Sequence, residues 1–188
     1  MDKLKEEFNL LLEELDNEIY HAFTLSCQER ALVDYAHEVS IPLINGGENN
    51  EIFNAAPGKT LEEYAQLFID HFGKYFNGPD RYFHVEIYRA KYIVAINFVV
   101  TETKPGQNIS WISNKEDSEM VELLSSRLSF SRVSNQIFCQ KDIKGFEENS
   151  FYIIKPDQYK LWHKAIAYLD LYEFKDAILK AGKKQFTR

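Results

Sequence analysis

The residues predict an α+β protein: N-terminal helices, then an antiparallel sheet of about four to five strands across 82–155, then C-terminal helices. Three observations carry this. Apolar residues recur at helical spacing up to position 76, alternate with period two from Tyr82, and return to helical spacing after Pro156. Strands and helices do not alternate one by one, so the order is not that of βαβ units. Nor does the chain repeat itself as a solenoid would.

The first helix is written by Leu4, Phe8, Leu11, Leu12, Leu15 and Ile19, with Glu6, Glu13, Asp16 and Asn17 on the opposite face. Ser26 and Glu29 have the spacing of a capping box, so a second helix starts there with Leu32, Val33, Ala36 and Val39 as its stripe. Pro42 is expected to stop it. Residues 45–59 (NGGENNEIFNAAPGK) read as a surface loop of about fifteen residues. Thr60 and Glu63 form a second capping box before a helix whose stripe is Leu61, Tyr64, Ala65, Leu67, Phe68 and Phe72.

Phe83, Val85 and Ile87 then alternate with Tyr82, His84, Glu86 and Tyr88, the pattern of a strand with one face in the core. The following run YIVAINFVV is apolar on both faces, which predicts a central, covered strand. Lys104-Pro105-Gly106-Gln107 predicts a tight turn back through Ile109, Trp111 and Ile112, continuing an antiparallel meander. A helix is expected over 113–128, and further strands over 135–140 and 151–155. Pro156 and Asp157 open the C-terminal helix. Asp170 and Glu173 predict a break and restart near Leu169, and Gly182 a C-cap.

With 188 residues, 45% of them hydrophobic, the chain is expected to form one domain with a core needing no metal or disulfide. Fourteen Phe and eleven Tyr predict an aromatic-rich core. Cys27 and Cys139 are expected to be buried thiols in a reducing cytosol. The N-terminus lacks the apolar run of a secretory signal and no segment is long enough to span a bilayer, so a cytoplasmic protein with no membrane partner is expected.

Charge is split along the chain. Residues 1–80 carry 5 Lys/Arg against 16 Asp/Glu, whereas residues 81–188 carry 17 against 13. An acidic helical part thus joins a mildly basic sheet-plus-helix part, a distribution that favours a charged partner or an internal contact.

The chemistry-bearing motifs are few. The Walker A, dinucleotide-binding and nucleophile-elbow patterns do not occur, and neither cysteine belongs to a metal-ligand cluster. No cofactor and no metal is therefore expected. Asp80, Glu86 and Lys91 stand near a hairpin, as carboxylates and a lysine do in metal-dependent nucleases. Glu86 and Lys91 are five residues apart, however, with a turn between them. His84 and Glu86 share the polar face of one strand with Tyr88, which would suit acid–base work on an open sheet face. The strongest surface candidate is the strand-to-helix junction, where Lys155, Lys160, His163 and Lys164 flank Tyr159 and Trp162. Basic groups beside aromatics suit phosphate contact with base stacking.

The leading expectation is a non-catalytic accessory subunit that binds another protein or a second copy of itself. The N-terminal helix and the 155–164 junction would be its contact surfaces. A nucleic-acid-binding or nucleic-acid-processing protein acting through the basic half is the alternative, and a small-molecule enzyme at His84 and Glu86 the third reading.

Overall fold

A computed structural model describes residues 2–45, 50–90, 92–112 and 142–186. The chain divides into two compact units, Met1–Gly47 and Glu48–Arg188. The compositional boundary at residue 80 is not where the structure divides, because the helix before it belongs with the sheet.

The first unit is helical. Helix α1 spans Asp2–Ala22 and α2 spans Cys27–Tyr35. The capping box of α2 forms as expected: Ser26 Oγ accepts from the Glu29 N–H at 3.3 Å, and Glu29 Oε2 accepts from the Ser26 N–H at 2.8 Å. Pro42 does not end the helix. The backbone widens into a π-turn over Ala36–Ser40, and Pro42 sits in the first turn of α3, Ile41–Ile44, where its missing N–H costs nothing. Cys27 is exposed, not buried, because the start of α2 faces solvent. Cys139 lies outside the described residues. The Tyr20 hydroxyl donates to Asp34 Oδ1 at 2.8 Å and joins α1 to α2.

The second unit holds the sheet. Helix α4 spans Gly58–Phe76, β1 Tyr82–Arg89, β2 Ile93–Thr101, β3 Ile109–Ile112, β4 Ile143–Phe146 and β5 Ser150–Pro156. Helix α5 is the single turn Tyr159–Trp162 and α6 runs through Lys164–Phe186. The strand order is β3-β1-β2-β5-β4, which places the doubly apolar β2 at the centre as its composition requires.

Four strands pair antiparallel, but β3 pairs parallel with β1, Val85 opposite Ile109 and Tyr88 opposite Ile112. The sheet is therefore mixed, and the turn at residues 104–107 does not continue a meander. The free side of β2 is taken by β5, from Ile93 opposite Pro156 to Val99 opposite Ser150. The chain after β2 passes to the vacant edge of β1, and the Val85 N–H donates to Asn108 O at 2.8 Å.

One sheet face packs on α4 and α6 through rings. Phe98 lies 4.3 Å from Phe68 and 4.7 Å from Phe151 in stacked geometry, and Phe174 lies 4.8 Å from Phe151. The expected aromatic core is this cluster, closed by Phe72, Phe83, Val85, Ile87 and Ile96.

Three predicted boundaries move. Helix α4 starts at Gly58 with Pro57 as its N-cap, so Thr60 lies inside the first turn and forms no capping box. The loop before it is partly structured. Residues Asn50–Phe53 form a 3₁₀ turn, Ile52 and Ala56 are buried, and the Ala56 N–H donates to Asp157 Oδ1 at 2.9 Å. Helix α6 does not break at Leu169, and Gly182 lies within it. The break falls at His163, whose ψ of 150° separates α5 from α6. The helix expected over 113–128 and the strand over 135–140 fall outside the described residues, as does Lys91.

Candidate functional site

The 155–164 junction turns Lys155, Trp162 and His163 inward. The Lys155 side chain is 0% exposed. Its ammonium is bonded to the Asp170 carboxylate and donates to Leu161 O at 3.1 Å. It also lies 5.3 Å from the Tyr64 ring centre and 5.2 Å from that of Trp162. Trp162 is buried and donates from Nε1 to Pro156 O at 3.0 Å. His163 is buried as well, with Nδ1 accepting from the Ala165 N–H at 3.1 Å. Tyr159 packs edge-on against His163, and its backbone N–H donates to Asn54 O at 2.9 Å.

Lys160 and Lys164 remain at the surface side of the junction. Lys160 stands 4.0 Å over the Phe53 ring and Lys164 is exposed. They do not share one helical face, because the His163 break puts them on different helices. Three of the six candidates, Lys155, Trp162 and His163, thus serve the core.

Asp170 is the centre that the sequence did not single out as one. Its Oδ2 takes Lys155 and the Tyr64 hydroxyl, the latter at 2.8 Å, while Oδ1 lies 2.7 Å from Lys144 Nζ. Lys144 is bonded to Glu173 too and lies 3.0 Å from Asp142 Oδ2. Asp142, Asp170 and Glu173 bring ligand atoms within 4.8 Å of one another, as a cation site would. The cation they hold is the Lys144 ammonium. Desolvation pulls the Lys144 pKa down, but hydrogen bonds to Asp170 and Glu173 outweigh it and hold the group above its ordinary value. Burial pushes Lys155 below its ordinary value against the pull of Asp170. Burial first, then Asp170, pushes Tyr64 far up. The cluster ties β4 and β5 to α6 and α4.

A signal for it existed. Ala167, Asp170, Leu171 and Phe174 share one helical stripe, so Asp170 stands among buried residues. Lys155 likewise ends the core-facing alternation Phe151, Ile153, Lys155. A second internal pair, Arg89 with Asp157 at 2.8 Å, closes the end of β1, and Arg89 also donates to Ala56 O.

The other sheet face carries His84 and Glu86. Glu86 Oε2 accepts from the Tyr88 hydroxyl at 2.8 Å and from Asn97 Nδ2 at 3.2 Å, and Oε1 lies 3.9 Å from His84 Nε2. Two buried atoms here, His84 Nδ1 and Asn97 Oδ1, have no hydrogen-bond partner among the described residues. Asn97 is 5% exposed and Tyr88, Ala95 and Ile154 are buried beside it, while the His84 and Glu86 side chains are 12% and 25% exposed. Asp80 is exposed in the turn before β1.

An uncovered apolar face belongs to the first unit. Leu4, Phe8, Leu11, Leu12, Leu15 and Ile19 form one stripe along α1, and each is 42–76% exposed. Among the unit's residues whose side chains are described, only Ala31 and Val39 are buried. Among the described residues of the chain, no helix is long and apolar enough to cross a membrane.

No family model matches this chain, and neither the curated proteins nor the solved structures yield a match. The class that fold and surface define is thus an α+β unit joined to a helical unit with an uncovered apolar face.

Proposed function

We propose that this protein is a non-catalytic interaction subunit that binds another macromolecule through its N-terminal helical unit. The observation that carries the reading is the α1 stripe. Six large apolar side chains on one helix face, each at least 42% exposed, form the kind of contiguous patch that marks an interaction surface. The ionic groups of the second unit support the same reading from the other side. Asp170, Lys144, Lys155, Arg89 and Asp157 are spent on one another, in contacts that fasten helices to the sheet. The burial of Lys155, Trp162 and His163 takes away half of the aromatic-basic group that a nucleic-acid partner would use.

The test compares the full chain with Phe8→Glu/Leu15→Glu by pull-down from native lysate and by size-resolved mass measurement, with and without nuclease. The expected result is a stoichiometric protein component, a partner or a second copy, that survives nuclease and is lost in the variant. Equal recovery by both forms, or recovery of nucleic acid alone, overturns the reading.

A further inference from the structure

We propose that α1 pairs with the α1 of a second copy of this chain, antiparallel, about a two-fold axis between Leu11 and Leu12. This rests on the interaction reading above and names the occupant of the surface. The stripe is its own mirror in sequence. Leu4 stands as far from the centre as Ile19, Phe8 as far as Leu15, and Leu11 as far as Leu12. In an isologous contact residue i meets residue j and j meets i, so this spacing sets Leu4 against Ile19, Phe8 against Leu15 and Leu11 against Leu12, apolar on apolar at every level.

The geometry and area are sufficient. Helix α1 has 21 residues, a length of roughly 30 Å. Each stripe residue leaves on the order of 100 Å² uncovered, so two copies together can bury up to roughly 1,200 Å², the low end of the range for specific interfaces. Glu7, Glu14 and Glu18 line one border of the stripe and are exposed. The two-fold brings this acidic border against itself, so association is opposed by charge repulsion and strengthened by salt. A basic partner would respond in the opposite sense.

The test uses the full chain. Sedimentation equilibrium should give a mass that doubles with concentration, and raising NaCl from about 0.05 to about 0.5 M should tighten the dimer several-fold. Leu11→Glu/Leu15→Glu should stay monomeric, with unchanged thermal unfolding of the sheet unit. In a Cys27→Ser/Cys139→Ser background, Leu12→Cys should cross-link to itself on oxidation. Leu4→Cys should not, because antiparallel pairing sets the two copies of residue 4 roughly 22 Å apart. A monomer at every concentration, a dimer that survives the double glutamate variant, a dimer that weakens in salt, or a Leu4→Cys self-cross-link each overturns the proposal. A monomeric chain that captures a different protein through α1 overturns the second copy and leaves the interaction reading standing. A monomer that captures nothing ends both.

Discussion

Asp170 receives two lysines and a tyrosine hydroxyl in the interior of the second unit. Desolvating such charges is costly, and the cost is met only while every partner is present. Asp170→Ala leaves Lys155 buried without its counter-ion and should cost about 3–5 kcal/mol in urea unfolding. Lys155→Met/Asp170→Leu should recover much of that loss, since a buried apolar pair of similar volume is tolerated. Tyr20 makes a prediction in pH. The hydrogen bond to Asp34, then burial, pushes its hydroxyl up to about 12 from an ordinary 10.0. The folded form holds the proton more tightly, so this contribution is complete below pH 10 and is lost as pH rises through about 12. Absorbance titration should show a late tyrosine whose ionisation accompanies loss of helicity, and Asp34→Asn should move it earlier.

Among the elements, those specified by local pattern were legible. Helix α4 and strand β1 follow their periodicities, and the two apolar faces of β2 foretold its central place. The cap at Ser26 formed because both partners lie within one turn. Thr60 and Asp170 match the same pattern but are governed by distant contacts: Asp157 grips the chain ahead of α4, and three donors claim Asp170. The parallel pairing of β3 escaped prediction for a similar reason, because the turn sequence sets a reversal but not which edge receives the strand. The junction was half legible: Lys160 and Lys164 lie on its outer side, whereas Lys155 and Trp162 turn inward because that direction depends on the sheet register. Edge strand β4 offers a check. A Cβ at Gly145 would run into the Tyr152 ring on β5. Gly145→Ala should therefore destabilise by about 1–3 kcal/mol, and Tyr152→Leu in the same chain should relieve part of it, read as coupling in a double-mutant cycle.

At the scale of the molecule, the first unit buries Ala31 and Val39, whereas the hydrophobic clusters among the described residues lie in the second. Its ring cluster and buried ion network draw every member from residue 56 onward. A fragment comprising residues 48–188 should fold cooperatively and melt within a few degrees of the full chain. The isolated first 47 residues should show weak, concentration-dependent helicity by circular dichroism, because so little of their apolar surface is covered.

The bonds from Ala56 to Asp157 and from Tyr64 to Asp170 join residues 101 and 106 positions apart. During synthesis, α4 emerges long before the segments that complete its environment. At roughly 5–20 residues per second, its Phe68 and Phe72 face wait about 5–20 s for β5 and α6 to leave the ribosome. The nascent chain thus carries that apolar face uncovered through the interval, when such surface is prone to aggregate.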